Sequence, residues 1–156
     1  MHVNHSNRMP EKIVEIKEFS PEIHRFVCRM INELTPNREG PSEEAFRAIL
    51  GSENAHLFVL YAADGTPAGT LTVGIYRTPT GCKAWIEDVV VDSAHQGLGY
   101  GKKIVEYAIG FIRATNADTI SLTTNASRIT ANQLYQRLGF ERYETNVYKM
   151  RLSTIF

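Results

Sequence analysis

The order of apolar and polar residues divides the first third of the chain into a strand and two helices. From Lys12 to Phe19 apolar and charged residues alternate, which predicts a half-buried strand. Ser20 and Pro21 then supply an N-cap and a first-turn residue for a helix with one apolar face. After the break TPNREGP, Ser42 is positioned to cap a second, shorter helix.

The middle of the chain contains three strand-like stretches separated by turn sequences. They run from His56 to Ala62, from Gly69 to Arg77 and from Cys82 to Asp92. The short turns between them predict an antiparallel meander. A glycine-rich turn follows, and apolar residues then recur at helical spacing over Gly101 to Thr115, which predicts a third helix.

The last third predicts a strand, a helix and a further strand or pair of strands. Thr119 to Thr123 is typical of a short buried strand, and Gly139 stops a helix. The apolar positions of that helix are Ala131, Leu134, Tyr135 and Leu138. Phe140 to Leu152 is predicted as the final strand or strands, which in an exposed position could pair across a homodimer. This order predicts an α/β (α+β) fold, with a mixed, mostly antiparallel sheet of six to seven strands flanked by four helices.

Composition narrows the class of protein. The 156 residues suit one domain, predicted at 11–156 after a flexible leader at 1–10. Basic and acidic residues number 17 each, so the basic excess of a dedicated nucleic-acid binder is missing. No apolar run has the length of a membrane span and the opening residues do not resemble a signal peptide, which predicts a cytoplasmic protein. The two cysteines and five histidines show no metal-ligand spacing, so no metal is expected.

The turn Gln96–Gly101, with the sequence QGLGYG, is the strongest candidate for chemistry. It follows an apolar strand and opens a helix, where free backbone N–H groups can hold an anion such as phosphate. A dinucleotide-binding fingerprint would need its third glycine at Lys102, and a P-loop would need Ser or Thr at Lys103. Both common nucleotide motifs therefore fail.

Three segments together resemble the GCN5-related N-acetyltransferases (GNAT). They are the Q/R-x-x-G-x-G turn, the strand ISLTTN at 120–125 and the helix end LYQRLGF at 134–140. The resemblance implies transfer of an acetyl group from acetyl-CoA to a primary amine by direct attack in a ternary complex. Two alternatives remain open: a non-catalytic acyl-CoA-binding module, and an acyltransferase that uses a longer acyl-CoA.

The resemblance also implies two catalytic residues. Glu87 would be the general base, acting through a water, and the alternative is a solvated or salt-bridged strand residue. Tyr135 would donate a proton to the departing sulfur, and the alternative is a core residue on the apolar stripe of its helix. Alternation in the strand predicts Trp85, Glu87, Val89 and Val91 on one face and Ile86, Asp88, Val90 and Asp92 on the other.

Further residues of the cofactor site follow from the resemblance. The expected cofactor-binding positions are Val89, Val90, Val91, Gln96, Gly97, Leu98, Gly99, Tyr100, Gly101, Lys102, Asn125, Asn132 and Tyr135. Asn125 has the alternative of merely capping a turn. In the family an oxyanion donor is often a backbone N–H at a strand bulge, here near Val89. Two positions depart from the family pattern: Arg128 replaces an asparagine, and Gln96 replaces the commoner arginine, a charge that Lys102 and Lys103 could supply.

The amine acceptor is left open, as a small molecule or a peptide. The run IEDVVV resembles glucosamine-6-phosphate acetyltransferases, but the end of the chain does not. Four glutamates would suit a cationic acceptor, although a solvated helix–loop face is an equal alternative. They are Glu33, Glu39, Glu43 and Glu44.

Overall fold

The computed structural model describes residues 10–152, so most of the predicted leader lies outside the described residues. The chain forms two compact units, of which the first ends at Thr123 and the second begins at Thr124. In the first unit lie β1 (Lys12–Glu15), α1 (Pro21–Leu34), α2 (Glu43–Leu50), β2 (Ala55–Tyr61), β3 (Pro67–Thr78), β4 (Gly81–Val91), a 3₁₀ turn (Ser93–His95), α3 (Tyr100–Arg113) and β5 (Thr119–Ser121). The second unit contains α4 (Ile129–Arg137).

The two amino-terminal helices begin where the capping residues predict. The Ser20 side chain accepts a hydrogen bond from the N–H of Ile23, and Pro21 is the first residue of α1. The Ser42 side chain accepts from the N–H of Ala45 at the start of α2. Each cap satisfies a backbone donor that the helix itself leaves without a partner.

The sheet has the strand order β1-β2-β3-β4-β5. The first four strands are antiparallel and β5 is parallel to β4, so the predicted mixed, mostly antiparallel sheet with four helices is confirmed. Side chains of α1 and α2 pack against one face of the sheet, in a cluster that includes Phe26, Phe46 and Val59. On the other face, the ring of Phe58 packs against α3 through Tyr107 and Phe111.

The predicted sixth and seventh strands are wrong for the described residues. Residues 140–152 have no strand structure, so the sheet of residues 10–152 contains five strands. The alternation of apolar and polar side chains near the end is real, but it becomes a strand only where a neighbouring strand offers backbone hydrogen bonds. Two other strands are shorter than predicted: β1 ends at Glu15 and β5 at Ser121.

Within residues 10–152, no helix is long and apolar enough to cross a membrane. The cytoplasmic location stays a prediction. Cys28 and Cys82 are both free thiols.

Candidate active site

Strand β4 carries the predicted base, and its pairing with β3 changes register next to that residue. Glu87 and Val90 pair with residues of β3 that are only two positions apart, so two residues of β4 oppose one of β3. The extra residue lies at Asp88 and Val89, and Asp88 has a left-handed φ of 52°. This is a β-bulge, which leaves the backbone groups of the inserted residue outside the regular ladder. It coincides with the position that the family resemblance assigns to the oxyanion donor.

The bulge corrects the predicted distribution of side chains along β4. Simple alternation placed Glu87 with Val89 and Val91, and placed Val90 on the opposite face. In the structure Glu87 and Val90 share a face, because their partners on β3 are two residues apart. Val90 is buried in the cluster formed with α1 and α2, whereas Glu87 is exposed. Glu87 therefore lies on the α1/α2 face of the sheet, in a position that solvent can reach.

Among residues 10–152, most of β4 beyond Trp85 has a strand neighbour on one side only. β5 pairs with β4 from Lys83 to Trp85, and among the described residues no strand continues that pairing toward Val91. We call the backbone of residues 86–91 on this side the open edge of β4. An extended molecule that carries amide groups can add to such an edge by main-chain hydrogen bonds. The predicted cofactor-binding residues Val89, Val90 and Val91 all lie on this segment.

The glycine turn follows directly after the open edge. Gly97 and Gly99 have left-handed φ values of 79° and 77°, which glycine adopts without the steric penalty of a side chain. A Cβ added at either position would meet no atom within 4 Å. The backbone conformation therefore requires glycine here, while the space in front of the turn stays open to a ligand.

Helix α3 begins at this turn without help from a side chain. Gly99 is its N-cap and makes no side-chain capping hydrogen bond. The first N–H groups of a helix need an external partner, and the helix dipole favours an anion there. Gln96 and Leu98 are exposed beside these groups. The arrangement can hold a phosphate or pyrophosphate through backbone donors.

Helix α1 anchors the start of the turn. The guanidinium of Arg29 donates to a carboxylate oxygen of Asp92 over 2.8 Å. One helical turn later, a Glu33 oxygen accepts from the N–H of Ser93 over 3.2 Å. Sequence reasoning missed these anchors; the available signal was a carboxylate, Asp92, at the end of an apolar strand.

The anchoring carboxylate of Asp92 is buried, with a side-chain exposure of 7%. Burial alone would raise its pKa, but hydrogen bonds from the Ala94 N–H and the Arg29 guanidinium outweigh burial, and the pKa is lowered. Asp92 is therefore ionised at neutral pH. It joins α1, the end of β4 and the turn in one hydrogen-bonded unit.

The lysines that follow the turn are not equally available to an anion. Lys103 pairs with Glu11 and lies over the ring of Tyr100. The side chain of Lys102 is 62% exposed, and its Nζ makes a longer contact of 3.8 Å with a Glu106 oxygen. Tyr100 itself is buried, and burial followed by the charge of Glu11 raises its pKa. Positive charge beside the turn therefore comes mainly from Lys102, and Tyr100 contributes packing and a backbone N–H.

In the second unit, Asn125 and Asn132 fix the loop before α4. Asn125 Oδ1 accepts from both the N–H and the hydroxyl of Ser127, which is the turn-capping alternative of the sequence. The Asn132 side-chain amide donates to the carbonyl oxygens of Asn125 and Arg128, over 3.0 and 2.8 Å. Arg128 is the N-cap of α4 and makes no side-chain capping bond, a bond that the asparagine of the family pattern is able to supply.

Tyr135, the predicted acid, is buried with a residue exposure of 9%. Its ring packs edge-on against Phe140, with centroids 6.0 Å apart. Burial raises its pKa, and the charge of Arg128 opposes that rise. A phenol that keeps its proton at neutral pH has the protonation state that an acid requires, and the packing equally suits a core residue.

Among residues 10–152, no group of three or more histidine, cysteine or acidic side chains is arranged to hold a metal ion. Two of the four glutamates considered for an acceptor wall are engaged elsewhere. Glu33 contacts Ser93, and Glu43 pairs with Arg47.

A bulged strand with an open edge, leading into a glycine turn at the start of a helix, is the arrangement expected of an acetyltransferase that uses a coenzyme A thioester. Residues 24–140 match the family model described as Acetyltransferase (GNAT) family, and the chain belongs to this family. The family uses acetyl-CoA as its cosubstrate.

Individual proteins are similar to this chain in sequence or in fold. A thialysine N-epsilon-acetyltransferase from Sus scrofa is 36% identical over 128 residues, which cover 72% of this chain and 75% of the relative. A glucosamine-6-phosphate N-acetyltransferase from Arabidopsis thaliana has a similar fold, with a TM-score of 0.75 at 23% identity, covering 90% of this chain and 98% of that one. The aminoglycoside acetyltransferase meta-AAC0020, from an uncultured soil metagenomic sample, gives 0.79 at 19% identity over 92% and 97% of the two chains.

The comparisons confirm the predicted family and the predicted enzyme class, an N-acetyltransferase. They do not test the roles of individual residues. Those of Glu87, Tyr135 and the cofactor-binding positions stay predictions.

Proposed function

We propose that this protein transfers an acetyl group from acetyl-CoA to a primary amine by direct attack in a ternary complex. The supporting observation is that the open edge of β4 continues directly into the glycine turn. One backbone segment thus offers hydrogen bonds for the amide groups of a pantetheine arm and N–H donors for a pyrophosphate. Because the family model covers residues in both units, we infer that residues 11–156 form one catalytic domain.

The proposed chemistry begins with deprotonation of the acceptor. A primary alkylamine with a pKa of about 10.4 is mostly an ammonium ion at neutral pH, so it must lose a proton before it attacks. Glu87 is exposed on the α1/α2 face and would take that proton through a water molecule. The amine nitrogen then bonds to the thioester carbon, the carbonyl oxygen becomes an oxyanion, and the nitrogen releases its second proton to water. A backbone N–H at the bulge, near Val89, is the proposed donor to that oxyanion.

The second half of the reaction breaks the carbon–sulfur bond. The oxyanion re-forms the carbonyl of the new amide, and coenzyme A leaves with the bonding electron pair as a thiolate. Tyr135 is proposed to donate its phenolic proton to that sulfur and to recover a proton from solvent. A thiol has a pKa of about 8.5, so a weak acid is enough for this step.

We infer that the acceptor is a small molecule with an aminoalkyl group. The relative from Sus scrofa is named for acetylation of the ε-amine of thialysine, and it is 36% identical to this chain. We do not base this inference on the four glutamates considered for an acceptor wall. Two of them, Glu33 and Glu43, already have partners in the first unit.

Calorimetric titration with acetyl-CoA, free CoA and succinyl-CoA tests the cofactor half of the proposal. Binding in the micromolar range, about 8 kcal/mol, is expected for acetyl-CoA. Gly99→Ala places a side chain at a left-handed position, which costs about 1–2 kcal/mol of strain. Because Gly99 lies in the turn proposed to hold the pyrophosphate, the variant should also weaken acetyl-CoA binding at least about fivefold. Gly65→Ala is a matched control: Gly65 has a φ of 84°, an added Cβ meets nothing within 4 Å, and the residue lies in the β2–β3 turn.

The proposal predicts similar losses of thermal stability in the two variants but a loss of affinity only in Gly99→Ala. Equal affinities in all three proteins, or no heat at millimolar acetyl-CoA, would contradict it. Thiol release with a panel of aminoalkyl compounds tests the catalytic half. Tight binding without thiol release from any amine would instead favour a non-catalytic acyl-CoA-binding module, and preferential binding of succinyl-CoA would favour a longer acyl group.

A further inference from the structure

Three side chains of β4 form a row on the α1/α2 face of the sheet. Before Glu87 the pairing with β3 runs without a register shift, so every second residue of β4 faces the same way. Lys83 and Trp85 therefore share the face of Glu87, whereas Ala84 and Ile86 between them are buried on the opposite face. We call Lys83, Trp85 and Glu87 the charged row. It leads from a cation, past an indole ring, to a carboxylate, and the Cα atoms of its two ends are about 13 Å apart at the rise of a strand.

The cationic end of the row offers two hydrogen-bond donors. Tyr76 of β3 pairs directly with Lys83 and is 47% exposed, and its hydroxyl oxygen accepts a hydrogen bond from Trp85 Nε1 over 3.1 Å. Because the phenol oxygen accepts the bond from the indole, its own O–H can donate to a ligand. Among residues 10–152, Lys83 takes part in no ion pair. An ammonium and a hydroxyl side by side suit a carboxylate.

The sheet leaves room beside the indole in the middle of the row. Gly74 pairs with Trp85, and Ala55 pairs with Gly74, so two small residues follow the indole across the sheet. Apart from its chain neighbours, a Cβ added at Gly74 would meet only the carbonyl oxygen of Asn54, at 4.0 Å. Trp85 is partly exposed beside this space. The aliphatic stem of a ligand can therefore lie against the indole.

We propose that the charged row selects the acceptor, and that the acceptor is an aliphatic amine with a carboxylate at its other end. The amine lies at Glu87, the stem lies against Trp85, and the carboxylate binds Lys83 and the hydroxyl of Tyr76. The order of charges along the row sets this orientation, because each end of the ligand meets the opposite charge. A diamine would instead place its second cation beside Lys83, which opposes binding. The inference rests on the proposed acetyl transfer and adds the part of the acceptor that does not react.

Thiol release with ε-aminocaproate and with its carboxamide tests the anionic end of the acceptor. The two compounds share the amine and the stem and differ in one negative charge. We expect kcat/KM to be at least about tenfold higher for the carboxylate, because it accepts charge-assisted hydrogen bonds. Lys83→Met should make the two compounds equal within about twofold. Arg77→Met is the matched control: exposed Arg77 follows Tyr76 on the opposite face of β3, so its loss removes the same charge and should keep the preference.

Gly74→Val tests the position of the stem without changing any charge of the row. Gly74 lies in a regular ladder and its φ is not left-handed, so valine fits the backbone there. The added side chain fills the space beside the indole, and the KM for ε-aminocaproate should rise at least about fivefold. The Kd for acetyl-CoA, measured by calorimetry, should change less than about twofold, and circular dichroism verifies that each variant is folded.

The outcomes separate a failure of this inference from a failure of acetyl transfer. Thiol release with other amines but not with ε-aminocaproate, or equal kcat/KM for the carboxylate and the carboxamide, would overturn the inference and leave acetyl transfer in place. So would an unchanged preference in Lys83→Met or an unchanged acceptor KM in Gly74→Val. If acetyl-CoA does not bind, or binds without thiol release from any amine, the proposed function fails and the inference fails with it.

Discussion

The glycine turn after β4 and the loop before α4 are both proposed to contact the cofactor, but they are held in place differently. The turn is anchored by contacts that span 63 and 60 residues of sequence, from Arg29 to Asp92 and from Glu33 to Ser93. The loop before α4 is fixed by hydrogen bonds that span seven residues or fewer, between Asn125, Arg128 and Asn132. The turn therefore depends on the docking of α1, while the loop can form from its own sequence.

The largest effect is expected for Glu87, and it distinguishes a general base from a solvated strand residue. Glu87→Gln should lower kcat by about 10²- to 10⁴-fold and flatten the acidic limb of the pH–rate profile, because the amide cannot accept the proton of the amine. Asp88→Asn is the informative comparison, since Asp88 is also exposed and asparagine tolerates its left-handed φ of 52°. Asp88→Asn should keep the acidic limb. A Glu87→Gln enzyme with an unchanged profile would exclude the base role.

A smaller effect is expected for the acid of the second unit. Tyr135→Phe keeps the ring and its packing on Phe140 but removes the hydroxyl, so kcat should fall about 10- to 100-fold while the KM for acetyl-CoA changes less than about twofold. Tyr107→Phe, a partly exposed tyrosine on α3, serves as the control in steady-state assays. Unchanged kcat in Tyr135→Phe, or an equal loss of binding and rate, would identify Tyr135 as a packing residue.

The smallest expected effect tests the long-range anchor directly. Arg29→Met keeps an unbranched side chain on α1 but removes the ion pair to Asp92, so the KM for acetyl-CoA should rise about three- to tenfold with little change in kcat. Arg25→Met, one turn earlier on α1 and also exposed, is the matched control. If both variants behave alike, the contacts from α1 do not position the turn.

The loss of folding stability in Arg29→Met should depend on pH. The folded-state pKa of Asp92 is lowered, so the stability it contributes is present above the ordinary aspartate pKa of about 3.9 and is lost as the pH falls through the folded-state pKa. The free energy of unfolding of Arg29→Met should therefore be about 1 kcal/mol lower than that of the unmodified protein at pH 7. The gap should close in acid, and denaturant titrations at pH 7 and below pH 4 measure it.

Features with local causes were predictable from the sequence. Ser20 and Ser42 cap their helices through neighbouring backbone N–H groups, and the left-handed φ values in the turn belong to glycines, Gly97 and Gly99. The family pattern added an expectation that composition alone does not give, an acetyl-CoA site on the turn. These signals lie within a few residues of the structure that they specify.

Features that depend on distant partners were predicted less well. Alternation in β4 failed at Asp88, because a bulge is defined by the register with β3 and not by the residues of β4 alone. The apolar alternation around Tyr148 predicted a strand that has no partner among the described residues. The pairing of Arg29 with Asp92 gave no periodic signal, since it joins single residues of two distant elements.

The open edge of β4 also connects the folding of this enzyme to metabolism. When acetyl-CoA pairs with that edge, as proposed, it binds the native state and not the unfolded chain, and so adds to the free energy of unfolding. A free concentration 100 times the Kd adds about 2.7 kcal/mol, a large share of the stability of an ordinary domain. The amount of folded enzyme would then follow the supply of acetyl-CoA, and proteolysis would remove the protein fastest when its cosubstrate is scarce.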